Sequence, residues 1–232
     1  MGLAKELEDQ IRGIFKETWE TRDGKIVPEP ADVGLGNKGV HIEATILYAD
    51  LARSTILVME HSELFAAEVY KAFLAGSARI IRANEGKIRS YDGDRIMGIF
   101  IGGSKNTNAA KTALQINYLV SQIIKPALVA QYPKNTYQMS HCVGIDTSKV
   151  MAARTGVRND NDLVWVGRSA NFAAKLCDLR IGDYRSWMTK AVYDVMANSS
   201  KLSSDGKNMW LPTKWPAQGD MQIYGSTWRW KP

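Results

Sequence analysis

Cysteine is nearly absent from this chain: its 232 residues hold two, Cys142 and Cys177. Two cysteines within apolar segments make no disulfide framework and no zinc spacing, so they read as packed thiols of a reducing compartment. Histidine is almost as scarce, and His41, His61 and His141 share no metal-binding spacing. No run of about 18 apolar residues occurs, which removes a membrane-spanning helix. The opening Met1-Gly2-Leu3-Ala4-Lys5-Glu6 has neither the apolar core of a signal peptide nor the Ser or Thr of a myristoylation site. Internal repeats and low-complexity tracts are missing too. Together these absences predict a cytoplasmic protein with no membrane partner.

What is present suffices for one substantial core, since 45% of the residues are hydrophobic. Lys+Arg 30 against Asp+Glu 24 gives a formal net charge of +6. A modest positive excess suits a polyanion, nucleotide or nucleic acid, without choosing between them.

Helical spacing covers residues 3–20, with Leu3, Leu7, Ile11 and Phe15 on one face. A Gly-, Pro- and Asp-rich connection follows over 21–38. Residues 40–48 read as a strand and 58–84 as a long helix with Phe65, Val69, Phe73, Ile80 and Ile81 as core positions. Residues 87–91 and 95–101 form a hairpin around Asp92-Gly93. A second helix spans 107–128, with Ala110, Leu114, Ile116, Val120, Ile123 and Ile124 apolar. Strands are predicted at 137–145, 149–153 and 163–166, a helix at 169–179, and a short helix plus a final strand, 222–230, in the tail. This order predicts an α+β fold, a split-βαβ or ferredoxin-like sheet, mostly antiparallel, with helices packed on one main face. Residues 1–39 are expected to form an N-terminal helix and connecting segment, and 40–232 the main domain.

Two acidic strand–turn segments stand out. One is Ile46-Leu47-Tyr48-Ala49-Asp50-Leu51-Ala52-Arg53-Ser54-Thr55, the other Tyr91-Asp92-Gly93-Asp94-Arg95-Ile96-Met97-Gly98-Ile99-Phe100. A lone aspartate at a strand end ordinarily shapes a turn. Two such carboxylates on neighbouring strands can hold two divalent cations, which activate a hydroxyl and neutralise a triphosphate.

Over roughly residues 40–182 the chain resembles the catalytic domain of class III nucleotidyl cyclases. Leu47–Thr55 is similar to the family's Phe-Ala-Asp-Ile block and Gly93–Phe100 to its Gly-Asp hairpin. Val166-Gly167-Arg168-Ser169-Ala170-Asn171-Phe172-Ala173-Ala174-Lys175-Leu176 is similar to its strand–turn–helix block, with Val143-Gly144-Ile145-Asp146-Thr147 between. The resemblance implies a homodimer with active sites across the interface and two divalent ions, Mn²⁺ or Mg²⁺. It makes Asp50 and Asp94 the metal ligands. It gives the backbone of Leu51, Ala52, Arg53, Ser54 and Thr55 the triphosphate. Asn171 would orient the ribose from the opposite subunit. Lys175 stands where the family has a transition-state arginine, which keeps the charge and loses the bidentate fork.

The family's adenine readers are a Lys four residues before the second metal Asp and an Asp seven before the Asn. Here those positions hold Ser90 and Val164, although a one-residue shift would put Arg89 in place of Ser90. Bulky Tyr48, Tyr91 and Trp165 stand nearby and could shrink the pocket to a smaller base. With Ala52-Arg53-Ser54, the Tyr91–Arg95 run looks like the pyrimidine cyclases of bacterial Pycsar antiphage systems, whose product acts on a separate effector. By that likeness the expected activity converts UTP, or next CTP, to the 3′,5′-cyclic nucleotide and pyrophosphate, without an appended sensor domain. Arg53, Arg95, Arg154, Arg158 and Arg168 are spare cations, Arg95 and Arg168 the first choices for phosphate, base or partner subunit. The alternatives are a purine cyclase with altered base readers, an inactive nucleotide sensor, and an RNA-binding sheet. The last is disfavoured because acidic residues on the central strands repel phosphate unless metal intervenes.

Overall fold

The computed structural model describes residues 2–157 and 160–232. Its elements are, in chain order, α1 (Leu3–Lys16), β1 (Glu20–Asp23), β2 (Lys38–Ala52), α2 (Ser54–Glu60), α3 (Glu63–Ala83), β3 (Lys87–Asp92) and β4 (Arg95–Phe100). There follow α4 (Lys105–Tyr118), α5 (Lys125–Gln131), β5 (Ser140–Val157), β6 (Asp160–Val166), α6 (Arg168–Cys177) and β7 (Ser186–Thr189). The last are α7 (Lys190–Val195), α8 (Asn198–Lys201), β8 (Leu211–Trp215) and β9 (Met221–Ser226).

One mostly antiparallel sheet runs β3-β4-β2-β5-β7-β9-β8. Its spine is the long antiparallel pair β2–β5, in register from Gly39↔Ala153 to Ala52↔Ser140. Each spine strand outlasts its neighbours. Beyond β5, β2 pairs with β1 at one end and β4 at the other, while β5 pairs with β6 and then β7. The predicted α+β sheet is therefore the observed one. Among the described residues no helix is long and apolar enough to cross a membrane.

Alternation along β2 sends Leu47, Ala49 and Leu51 to one face and Ile42, Ala44 and Ile46 to the other. The first face packs against α3 and α4 through Phe65, Val69, Phe73, Ile81 and Leu114. The second is covered by α6 through Ala170 and Ala173. The expectation of helices on one main face is thus corrected: α6 occupies the opposite one.

Several predicted spans change for physical reasons. The predicted helix 58–84 is two helices, because Ser62 accepts a hydrogen bond from the Phe65 amide (3.3 Å) and caps α3 anew. The second predicted helix passes through a widened π-type turn over 119–124 just before Pro126, which has no amide hydrogen to donate. That turn buries Ile124 and leaves Ile123 exposed, contrary to its predicted core role. The two strands expected around 145–149 are one. Thr147 and Ser148, which read as a turn, are bonded sideways to Thr45 and Ser169. β7 and β8 were not expected. β7 is short and buried throughout, and β8 carries Pro212 on the sheet edge.

α6 sits very close to the sheet. A Cβ at Gly144 would lie 2.1 Å from the Ala173 carbonyl oxygen and 2.5 Å from the Cys177 amide. Gly144→Ala must push α6 away, at a cost of about 1–3 kcal/mol in the usual range for overpacking. Chemical denaturation should show a lower midpoint with an unchanged slope; an unaltered midpoint would mean that α6 floats freely.

Candidate active site

Asp50 is the last residue of β2 paired with β4, where it lies opposite Arg95. Asp94 precedes Arg95 in the β3–β4 turn, which Gly93 makes possible with φ +58°. The even-numbered side of β2 puts Asp50 on the α6 face. Its carboxylate receives Arg95 Nη2 at 3.1 Å, and the same nitrogen reaches Asp178, just past α6, at 2.7 Å. Burial pushes the Asp50 pKa above the usual aspartate value. The Arg95 hydrogen bond and charge pull it down, and the Asp94 and Asp178 charges add to the rise.

Asp94 Oδ2 is buried and has no hydrogen-bond partner. An orphaned carboxylate oxygen beside a second, half-satisfied carboxylate is a cation site in waiting. The donors are hard oxygens, which fits Mg²⁺ or Mn²⁺. Among the described residues no cluster of three or more His, Cys, Asp or Glu gathers, so further ligands would come from water, backbone or substrate phosphate. His141 is fully buried, and burial pushes its pKa down to about 3, leaving it neutral.

Beyond Asp50 the buried Leu51 and Ala52 lead to Arg53, held in the left-handed region with φ 62° at the start of α2. Ser54 and Thr55 follow as the first residues of that helix, whose first-turn amides have no intrahelical acceptor.

A second feature lies on the same face. A cavity of about 360 Å³ collects Ser90, Val164, Trp165 and Asn171 with Tyr48 and Met97. Its floor is tied by the Tyr48 hydroxyl on Met97 Sδ at 3.2 Å. Four predicted site residues therefore meet here. Tyr91 does not join them; it is exposed, and its partner Ile96 belongs to the opposite face. Asn171 and Lys175 are one turn apart on the exposed side of α6.

The spare cations are mostly engaged. Arg168 binds buried Asp146 (3.1 Å) and the Thr147 carbonyl (2.7 Å). Arg95 is held by Asp50 and Asp178, and Arg154 by Asn161 at 2.7 Å. Arg158 lies outside the described residues. Arg89 and Asp162 also line the cavity; the sequence offered Arg89 as the alternative to Ser90 under a one-residue shift, and Asp162 was not assigned. For Arg89 the signal was its place beside Ser90. The β3–β4 register slips between Ile88 and Ser90, a bulge that brings Arg89 to the cavity.

The fold is one that solved nucleotide cyclase domains share. The adenylyl cyclase CyaB from P. aeruginosa superposes with TM-score 0.68 at 16% identity, covering 81% of this chain and 95% of that one. The guanylyl cyclase Cya2 gives 0.66 at 15%, covering 84% and 96%. No protein-family model matches the chain. Its curated relatives are narrower in kind. A uridylate cyclase from Xanthomonas perforans is 44% identical, covering 100% of this chain and 99% of its own length. One from Burkholderia cepacia is 43% identical, with 99% of both chains covered. The chain belongs to this family of cyclases and is a nucleotidyl cyclase.

Carbon-detected NMR titration of the Asp50 carboxyl should place its midpoint above that of a free aspartate. Arg95→Gln removes the one cation lowering it, so the midpoint should rise further; a fall would contradict the assigned causes. Ionising Asp50 accordingly opposes folding. That penalty is absent below the free-aspartate pKa and complete above the raised one.

Proposed function

We propose that the chain converts UTP to 3′,5′-cyclic UMP and pyrophosphate, with CTP the next substrate, as a homodimer with two composite active sites. The cyclic product would act on a separate effector in antiphage defence, in the cytoplasm. The observation that carries the substrate half of this reading is the cavity. Tyr48 and Trp165 occupy its walls, and Ser90 and Val164 hold the two purine-reader positions, while the charged lining residues Arg89 and Asp162 stand beside those positions rather than at them.

Asp50 and Asp94 would hold two divalent cations. When bound, such ions activate the ribose 3′-hydroxyl and stabilise the departing pyrophosphate. Asn171 of the facing subunit would hold the ribose so that its hydroxyl lies in line with the α-phosphorus. The amides from Leu51 to Thr55 would receive the triphosphate, with the left-handed Arg53 aiming the first turn of α2 at it. Arg95 would give up Asp50 and rest on Asp178, keeping its charge beside the phosphates. Lys175 would meet the developing negative charge as a single ammonium, without the two-pronged grip of an arginine.

The purified protein with Mn²⁺ and each of the four ribonucleoside triphosphates should yield cyclic UMP as the main product, and Asp50→Ala and Asp94→Ala should yield none. Cyclic AMP or cyclic GMP in excess would select the purine alternative. No product from any nucleotide would favour a sensor. Mixing inactive Asp50→Ala subunits with inactive Asn171→Ala subunits gives mixed dimers with one intact and one doubly broken site. Random pairing should restore about one quarter of wild-type activity. A mixture that stays dead would rule out composite sites.

A further inference from the structure

Among the described residues that line the cavity, Arg89 alone has a side-chain donor that is both buried and unpartnered. Its terminal nitrogens grip Glu29 end-on, Nη1 to Oε2 at 2.7 Å and Nη2 to Oε1 at 2.8 Å. Its Nε–H is buried and has no partner. The side chain is 11% exposed, although Glu29 itself is 62% exposed. A buried guanidinium N–H without an acceptor is costly, and a groove that keeps one is shaped for an acceptor that arrives with a ligand.

The placement is deliberate in the backbone. The β-bulge between Ile88 and Ser90 makes room for Arg89 as an extra residue on β3. Glu29 comes from the turn before β2, where it also closes a reciprocal cap with Asp32. The cation is thus pinned from outside the sheet by a carboxylate that leaves Nε unoccupied.

We propose that Arg89 reads the base, its Nε–H donating to the 4-oxo group of a uracil ring, and that Glu29 is the positioning residue that aims it. This deepens the pyrimidine reading above and rests on it. Asn171 enters the cavity from α6, which covers β2 and β5, whereas β3 lies two strand positions outward from β2. Two strand spacings amount to about 10 Å. A nucleoside whose ribose rests at Asn171 turns the far edge of its ring toward β3. On uracil that edge carries a carbonyl oxygen; on cytosine it carries an amino group. Arginine offers donors only, so uracil completes the Nε–H while cytosine sets donor against donor.

The test uses 3′-deoxy-UTP and 3′-deoxy-CTP, which bind without cyclising, titrated by calorimetry into the full-length protein with Mn²⁺. Wild type should prefer 3′-deoxy-UTP, and Arg89→Ala should weaken it at least about tenfold while changing 3′-deoxy-CTP by less than about threefold. Glu29→Gln, at an exposed position, should give a smaller loss in the same direction. In turnover both variants should raise KM for UTP with kcat little changed, as expected for a contact equal in ground and transition states. Equal weakening of both nucleotides, or no change in either, would overturn the assignment. A 3′-deoxy-ATP titration of wild type separates the two levels: purine preference there would sink the pyrimidine reading, whereas pyrimidine binding insensitive to Arg89 would sink only this inference.

Discussion

The contact between α6 and β5 is the constraint on which the rest of this molecule depends. A helix normally stands off a sheet by the thickness of its side chains. Here Gly144 lies against the α6 backbone at Ala173 and Cys177, and with no side chain on the glycine the two backbones nearly touch. The same seam is sealed by the Cys142 and Cys177 thiols bonding to carbonyls across it and by Asp146 gripping Arg168 at the start of the helix. Burial pushes the Cys177 thiol pKa up, so that thiol stays protonated and serves packing. Because the seam is tight, the outward side of α6 is fixed, and with it Asn171 and Lys175.

Charge is distributed with the same economy. The chain is basic overall, yet the face proposed for catalysis is organised around carboxylates: Asp50, Asp94, Asp146 and Asp178. Two of its arginines are matched to those acids, Arg168 to Asp146 and Arg95 to Asp50 and Asp178 beside the proposed cation site. Asp94 stands apart with its inward oxygen unpartnered. Pairing removes most of the repulsion among the acids and leaves one deficit, at the place where a divalent cation would relieve it. A metal ion would compete with Arg95 for Asp50, and Asp178 gives that arginine somewhere to go.

Much of this was legible in the chain. Alternation exposed the long strand, the Asp92-Gly93 dipeptide exposed the hairpin, and helical spacing exposed most of the core of α3 and α4. The meeting of Ser90, Val164, Trp165 and Asn171 in one cavity follows from motifs matched to a family rather than from periodicity. What stayed hidden has physical causes. Thr147-Ser148 mimics a turn because polar residues inside a strand reveal their lateral partners only when neighbouring strands are in place. Arg89 stayed an uncertain neighbour of Ser90 because a bulge is a property of two strands and cannot be read from one. Glu29 sat in a segment that looked like a tether, since nothing local announces a partner sixty residues away.

That segment has more than a connecting role. β1 adds to the edge of β2 in parallel, from Glu20↔Lys38 to Asp23↔His41. The Asn37 side chain ties the end of α1 back by bonding the Ile14 and Glu17 carbonyls at 2.8 and 2.7 Å. Glu29 then reaches Arg89 from between these two anchors. A base pocket assembled only from the sheet and α6 could not hold Arg89 in a fixed pose, because a lone arginine on an edge strand has several rotamers of similar energy. With both ends of the segment fastened, the carboxylate is held where the fork can meet it, and the guanidinium plane is set. Selectivity for a pyrimidine edge would then reside in the order of residues 20–39 as much as in the pocket itself. Loosening that segment should blur the base while leaving the carboxylates of the cation site untouched.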